Sequence, residues 1–236
     1  MRTKALLLGA AAVAAGLMTS HAQVYSANIV GYVNTPLTNG VIAVVAPSLD
    51  ADGTGTNNTV STVFPGPTVG DNVFVFNGSG YNILSYSTVG HGAGAVTGWY
   101  LNGSQTNGYP LNPGVSVFYQ PAANETNTQV GTVLQGTNLV NKYFPAGGGI
   151  GLVASQVPIA GGVTTALGYI PTVGDNIFIY NGSGYNIYSY STVGHGAGAV
   201  TGWYLNGTQS EPQIAVGQGF WLQPIGNTNW VQSFVQ

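Results

Sequence analysis

Apolar and polar residues alternate with a period of two along most of this chain. The runs NVFVF from Asn72 and YNILSY from Tyr81 are rich in β-branched and aromatic residues. The NGSG between them supplies the positive-φ positions of a tight turn, so the pair predicts a β-hairpin. Asn-Gly recurs at Asn39, Asn77, Asn102, Asn107, Asn181 and Asn206 and cuts the chain into short strands. Beyond the N-terminal segment no window sustains a helical period, so the expected fold is all-β.

The hairpin occurs twice. The block PTVGDNVFVFNGSGYNILSYSTVGHGAGAVTGWYLNG from Pro67 returns from Pro171 after a constant shift of 104 residues, with four differences: Val73 becomes Ile177, Val75 Ile179, Phe76 Tyr180 and Leu84 Tyr188. Looser matches extend both ways, from NGVIAVVAPSL against GGIGLVASQVP to PGVSVFYQP against VGQGFWLQP. The first copy carries a longer insertion, DADGTGTNNT. The pattern predicts two similar antiparallel β modules of about 100 residues each, sandwich or barrel-like and related by a pseudo-twofold, over residues 23–135 and 136–236. No Pro-rich or charged linker separates them, so close docking is expected, and the opening strand at residues 24–34 is expected in a sheet near the closing segment at residues 230–236.

Residues 1–22 read as an export signal, with Arg2 and Lys4 before an apolar run and Ser20, His21 and Ala22 as a cleavage site. A secreted protein is therefore expected, in the periplasm, at the cell surface or outside the cell. No later stretch is apolar for long enough to predict a transmembrane segment, and the final SFVQ lacks the terminal aromatic usual in outer-membrane barrels. Loss of the signal leaves Lys142 as the sole Lys or Arg, which argues against nucleic acid as a partner. With no cysteine, stability must come from burial and backbone pairing.

Apart from tyrosines, the ionisable side chains that recur in both repeats are Asp71 with Asp175 and His91 with His195. An aspartate can orient an imidazole for catalysis or binding; equally, Asp71 can cap the turn in GDN while His91 sits in a glycine-rich loop. No nucleophile is positioned beside either. The aspartates lack the Asp-Thr-Gly or Asp-Ser-Gly of bilobal aspartic proteases, and the NGSG serine lacks a strand-to-helix elbow. The segment from Asp50 and Asp52 through Gly55 partly matches a calcium loop without its closing glutamate; a weak calcium site stands against a plain polar loop, and no other cofactor is expected. The pairs Trp99-Tyr100 and Trp203-Tyr204 offer stacking platforms for sugars, or core anchors, and on a strand one member of each pair faces inward.

The chain resembles uncharacterised secreted bacterial β-repeat proteins, in its VYSANIVGYVN opening at residues 24–34 and its G-x-G-F-W strand at Gly217, Gly219, Phe220 and Trp221. The first repeat departs from that strand with Gly114, Ser116, Val117 and Phe118. The resemblance implies an exported β-repeat protein and carries no activity. The reading is a secreted, non-enzymatic structural or adhesion protein whose partners are polysaccharide or other cell-surface proteins. A carbohydrate-binding module is the alternative, and a hydrolase of unknown type the third.

Overall fold

A computed structural model describes residues 29–226 and 229–235. The expected signal at residues 1–22 lies outside them, as does the first part of the VYSANIVGYVN opening. The fold is nearly all β and every sheet is antiparallel. Among the described residues no helix is long and apolar enough to cross a membrane.

Each repeat builds one open six-stranded sheet. In the first the order is β2 (Ala43–Val45), β7 (Val117–Gln120), β3 (Asn72–Phe76), β4 (Tyr81–Val89), β5 (Val96–Leu101) and β6 (Ser104–Gln105). The second repeats that order with β10 (Gly151–Ala154), β17 (Gly219–Gln223), β12 (Asn176–Tyr180), β13 (Tyr185–Val193), β14 (Val200–Leu205) and β15 (Thr208–Gln209). The predicted hairpin is β3–β4, with Phe76 opposite Tyr81, and Asn77 Oδ1 accepting from the Ser79 and Gly80 amides to hold the turn.

Alternation then sorts the side chains of each sheet onto two faces. One face carries Val45, Val73, Val75, Leu84, Trp99, Val117 and Tyr119 into the core of the first repeat. In the second, Val153, Ile177, Ile179, Trp203, Phe220 and Leu222 do the same, with Trp230 added. The first core is closed by the one-turn helix α1 (Val60–Val63) that follows the insertion; it is capped by Thr59 and Thr62 and buries Val60 and Val63. The second repeat has no counterpart to α1; there β11 (Gly161–Gly162) pairs with β16 (Gln213–Ile214).

The opposite faces meet each other. Phe118, Trp221 and Leu152 are buried between the sheets, with Val44, Phe74, Phe76, Phe178 and Tyr180 packed around them. Main-chain contacts cross the same junction in exchanged pairs. The Ala46 amide donates to Gly217 O at 2.9 Å, and the Ala154 amide donates to Gly114 O at 3.0 Å. Val45 bridges Gln218 as Val153 bridges Val115. Each contact has its counterpart when the repeats are interchanged, which is the relation a local twofold generates.

The ends of the chain correct one expectation. β1 (Val30–Leu37) pairs with β8 (Glu125–Thr132) over its whole length, and β9 (Gly136–Val140) pairs with β18 (Val231–Phe234). The opening and closing strands therefore share no sheet, because each finds its partner within its own repeat. They do share a core: Ile29 and Phe234 both pack on the cluster of Val33, Leu49, Val133, Leu134 and Val157.

Close to the local twofold a residue meets its own counterpart, and identity there becomes a steric problem. A Cβ on Gly219 would lie 1.8 Å from Ser116 Oγ and 2.3 Å from Ser116 Cβ. At Ser116 the departure of the first repeat from G-x-G-F-W thus has a physical cause: only one of the two positions has room for a side chain. Gly219→Ala should cost about 1–3 kcal/mol of stability through overpacking. Ser116→Gly in the same chain should recover most of that loss, as read by urea denaturation of the single and double variants.

Candidate functional site

The repeated aspartates are fully buried at the start of β3 and β12. Asp71 accepts from the Thr68 amide at 2.6 Å, the Ala122 amide at 2.7 Å and the Tyr119 hydroxyl. Asp175 accepts from the Thr172 amide at 2.7 Å, the Ile225 amide at 2.8 Å and the Tyr169 hydroxyl at 2.6 Å. Each carboxylate ties the turn before one strand to the loop after its neighbour. Burial, reinforced by these carboxylate contacts, pushes both tyrosine hydroxyls well above their ordinary range, so they stay protonated donors. No hydrogen bond joins Asp71 to His91 or Asp175 to His195. The histidines lie at the exposed tips of the β4–β5 and β13–β14 hairpins, each just before a 3-10 turn, Gly92–Gly94 and Gly196–Gly198.

Of each Trp-Tyr pair the tryptophan faces inward. Trp99 is 1% and Trp203 3% exposed, and Trp203 Nε1 donates to Thr164 Oγ1 at 2.9 Å. Tyr100 and Tyr204 lie half-buried on the other face, each donating its hydroxyl along its own strand, to Val96 O at 3.0 Å and Val200 O at 3.1 Å. The loop at Asp50 and Asp52 is bonded within itself. Asp52 Oδ1 accepts from the Thr54 amide and hydroxyl, and Asp52 Oδ2 from Asn57. Asp50 is buried, with Oδ2 accepting from the Asp52 amide. Among the described residues no three His, Cys, Asp or Glu side chains gather as a metal set.

What the structure does bring together is a group of aromatic rings at the junction. A cleft of about 250 Å³ is lined by Ile42, Phe74, Tyr81 and Phe118 from the first repeat and Tyr180 and Tyr185 from the second. Phe118 meets Tyr81 and Tyr180 edge-on, both at 6.0 Å between ring centres, and Tyr180 lies 5.5 Å from Tyr185. Such tilted and edge-on contacts suit the ring quadrupoles and hold the walls in place. Burial and the neighbouring Tyr185 raise the pKa of Tyr81 above its ordinary value. The sequence alone does not show this grouping, which needs both repeats. One cue was available: Phe76 and Tyr180, at one of the four differing positions, both lie in the aromatic cluster.

Compared with models of known families, with curated proteins and with solved structures, the chain matches none.

Three measurements check the assignments made above. Asp71→Asn and Asp175→Asn each turn one acceptor into a donor facing a donor, and each should lower stability by about 1–3 kcal/mol. Changing His91 and His195 together to Ala should leave the melting temperature unmoved. Asp52 gives an acid signature. Hydrogen bonds from Thr54 and then Asn57 hold its pKa at about 2, down from its ordinary 3.8. Its contribution is therefore complete above pH 3.8 and lost as the pH falls through about 2. The stability gap between the wild type and Asp52→Asn, followed by denaturant titration, should close across that window.

Proposed function

We propose that the protein is a secreted, non-enzymatic adhesion or structural protein that works at the cell surface. The observation that carries this reading is the division of labour between the two faces of the repeated hairpin. On one face, the aspartate and tryptophan that recur in both repeats are consumed in building the cores. On the other, the same apolar positions are left exposed twice: Ile83 at 47% and Ile187 at 49%, and Val89 and Val193 at 50% each. Paired exposed apolar stripes mark an interaction surface, and two equal surfaces on one chain multiply a weak contact by avidity. The acids support the same reading, since Glu125 accepts from the Thr68 hydroxyl and Glu211 from the Thr164 and Thr165 amides and the Thr165 hydroxyl, as Asp52 does from Thr54.

A carbohydrate-binding module is the second reading, favoured by the aromatic cleft, whose lining carries three hydroxyls and no charge.

Expressed with its leader, the protein should appear outside the cytoplasm with Gln23 as its first residue, as read by mass spectrometry. Beads coated with it should adhere to cells of its source, and Ile83→Asp with Ile187→Asp should abolish adhesion where either change alone only weakens it. Retention of the intact leader in the cytoplasm, or adhesion indifferent to the double change, would refute the proposal.

A further inference from the structure

The aromatic cleft opens beside two positions at which the repeats differ. Phe118 of β7 and Trp221 of β17 occupy corresponding sites, opposite Phe74 and Phe178. The indole of Trp221 fills its side of the junction. It packs edge-on against Phe76 at 4.8 Å, and its Nε1 donates to the Tyr185 hydroxyl at 3.3 Å. The smaller ring of Phe118 on the other side meets Tyr180 at 6.0 Å, and there the cleft opens. Phe76 and Tyr180 also differ at corresponding sites, and the Tyr180 hydroxyl is turned away to donate to Gly182 O at 2.9 Å, which leaves its ring as wall.

We propose that this cleft is the seat for one neutral sugar ring of a polysaccharide, an inference that rests on the carbohydrate-binding reading. Three features select that occupant. The volume, about 250 Å³, lies below the roughly 300–1,000 Å³ of sites that enclose drug-sized ligands, so it suits a single ring of a longer chain that continues into solvent. No lining residue is charged, so an ionic ligand would lose its hydration without gaining a partner. The rim is not purely apolar either. Tyr185 accepts from Trp221, which leaves its own proton to give, and the Tyr81 hydroxyl makes no hydrogen bond among the described residues. A wholly apolar occupant would bury both hydroxyls unpaired. A pyranose satisfies the whole set, since its C–H faces lie against Phe118, Phe74 and Tyr180 while its hydroxyl edge reaches Tyr81 and Tyr185.

The second repeat supplies the decisive variant. Phe118→Trp places in the cleft the side chain that the fold already holds at position 221, closing the cavity without introducing polarity. Mature protein is titrated with cellopentaose, xylopentaose and chitopentaose by calorimetry, with tryptophan fluorescence as a second readout and thermal unfolding as the check on folding. At least one of the three should bind the wild type, and Phe118→Trp should weaken it by about tenfold or more. Tyr81→Phe with Tyr185→Phe, which keeps the walls and removes the two hydroxyls, should do the same; Tyr32→Ala, at an exposed position of β1 that does not line the cleft, should not. Binding that both cleft variants leave intact overturns the cleft as the seat while the carbohydrate reading stands. Failure of all three sugars to bind the wild type overturns both.

Discussion

The exchanged main-chain contacts between Ala46 and Gly217 and between Ala154 and Gly114 are the constraint from which the rest of the structure follows. Backbone contacts of this kind bring the chains near β7 and β17 close together and leave little freedom in how the two sheets sit. The faces turned toward each other must then be apolar, and both repeats supply aromatic rings there. Because the contacts lie beside a local twofold, side chains next to them meet their own counterparts. The sequence can stay identical far from the axis but not at it. Ser116 faces Gly219, and Phe118 lies 6.1 Å from Trp221 between ring centres.

A chain with so few charges uses each carboxylate as a fastener. Asp71 and Asp175 show how strong that demand is, because the tyrosine that serves them comes from different places. Tyr119 lies on β7, whereas β17 has Leu222 at that position and the hydroxyl arrives from Tyr169 in the loop before β12. The chemistry at the carboxylate has been kept while its supplier changed, as expected when a fully buried anion must have its acceptors filled. In the first repeat the ring of Tyr119 also stacks on Phe64 at 4.5 Å, so the donor is held by packing as well as by its bond.

What was legible in the sequence was local. Alternation and the NGSG turn gave the β3–β4 hairpin, the spacing gave two equivalent sheets, and the rule that strand neighbours face opposite ways separated Trp99 from Tyr100. The aspartate's role as a turn fastener was visible in GDN, though the tyrosine that completes it was not, since that partner lies 48 residues away in one repeat and 6 in the other. The pairing of β1 with β8 was not legible, since the spacing of the repeats does not say which strand closes each one, and each repeat closes on itself. The cleft was missed for a related reason. Its walls come from both repeats, and which face of a sheet is covered is decided by the junction and not by the alternation within a strand.

The pairing of Ser116 with Gly219 makes the two halves non-interchangeable. A protein assembled from two first halves would set serine against serine at the axis, whereas one assembled from two second halves would set glycine against glycine there and fill the cleft with a second indole. The long, nearly identical blocks that begin at Pro67 and Pro171 nevertheless invite unequal crossing-over in the gene. A crossover there yields a chain that joins the opening of the first repeat to the end of the second, keeping Trp221 but losing Ser116 and Phe118, and so leaves an aromatic sheet face with nothing to cover it.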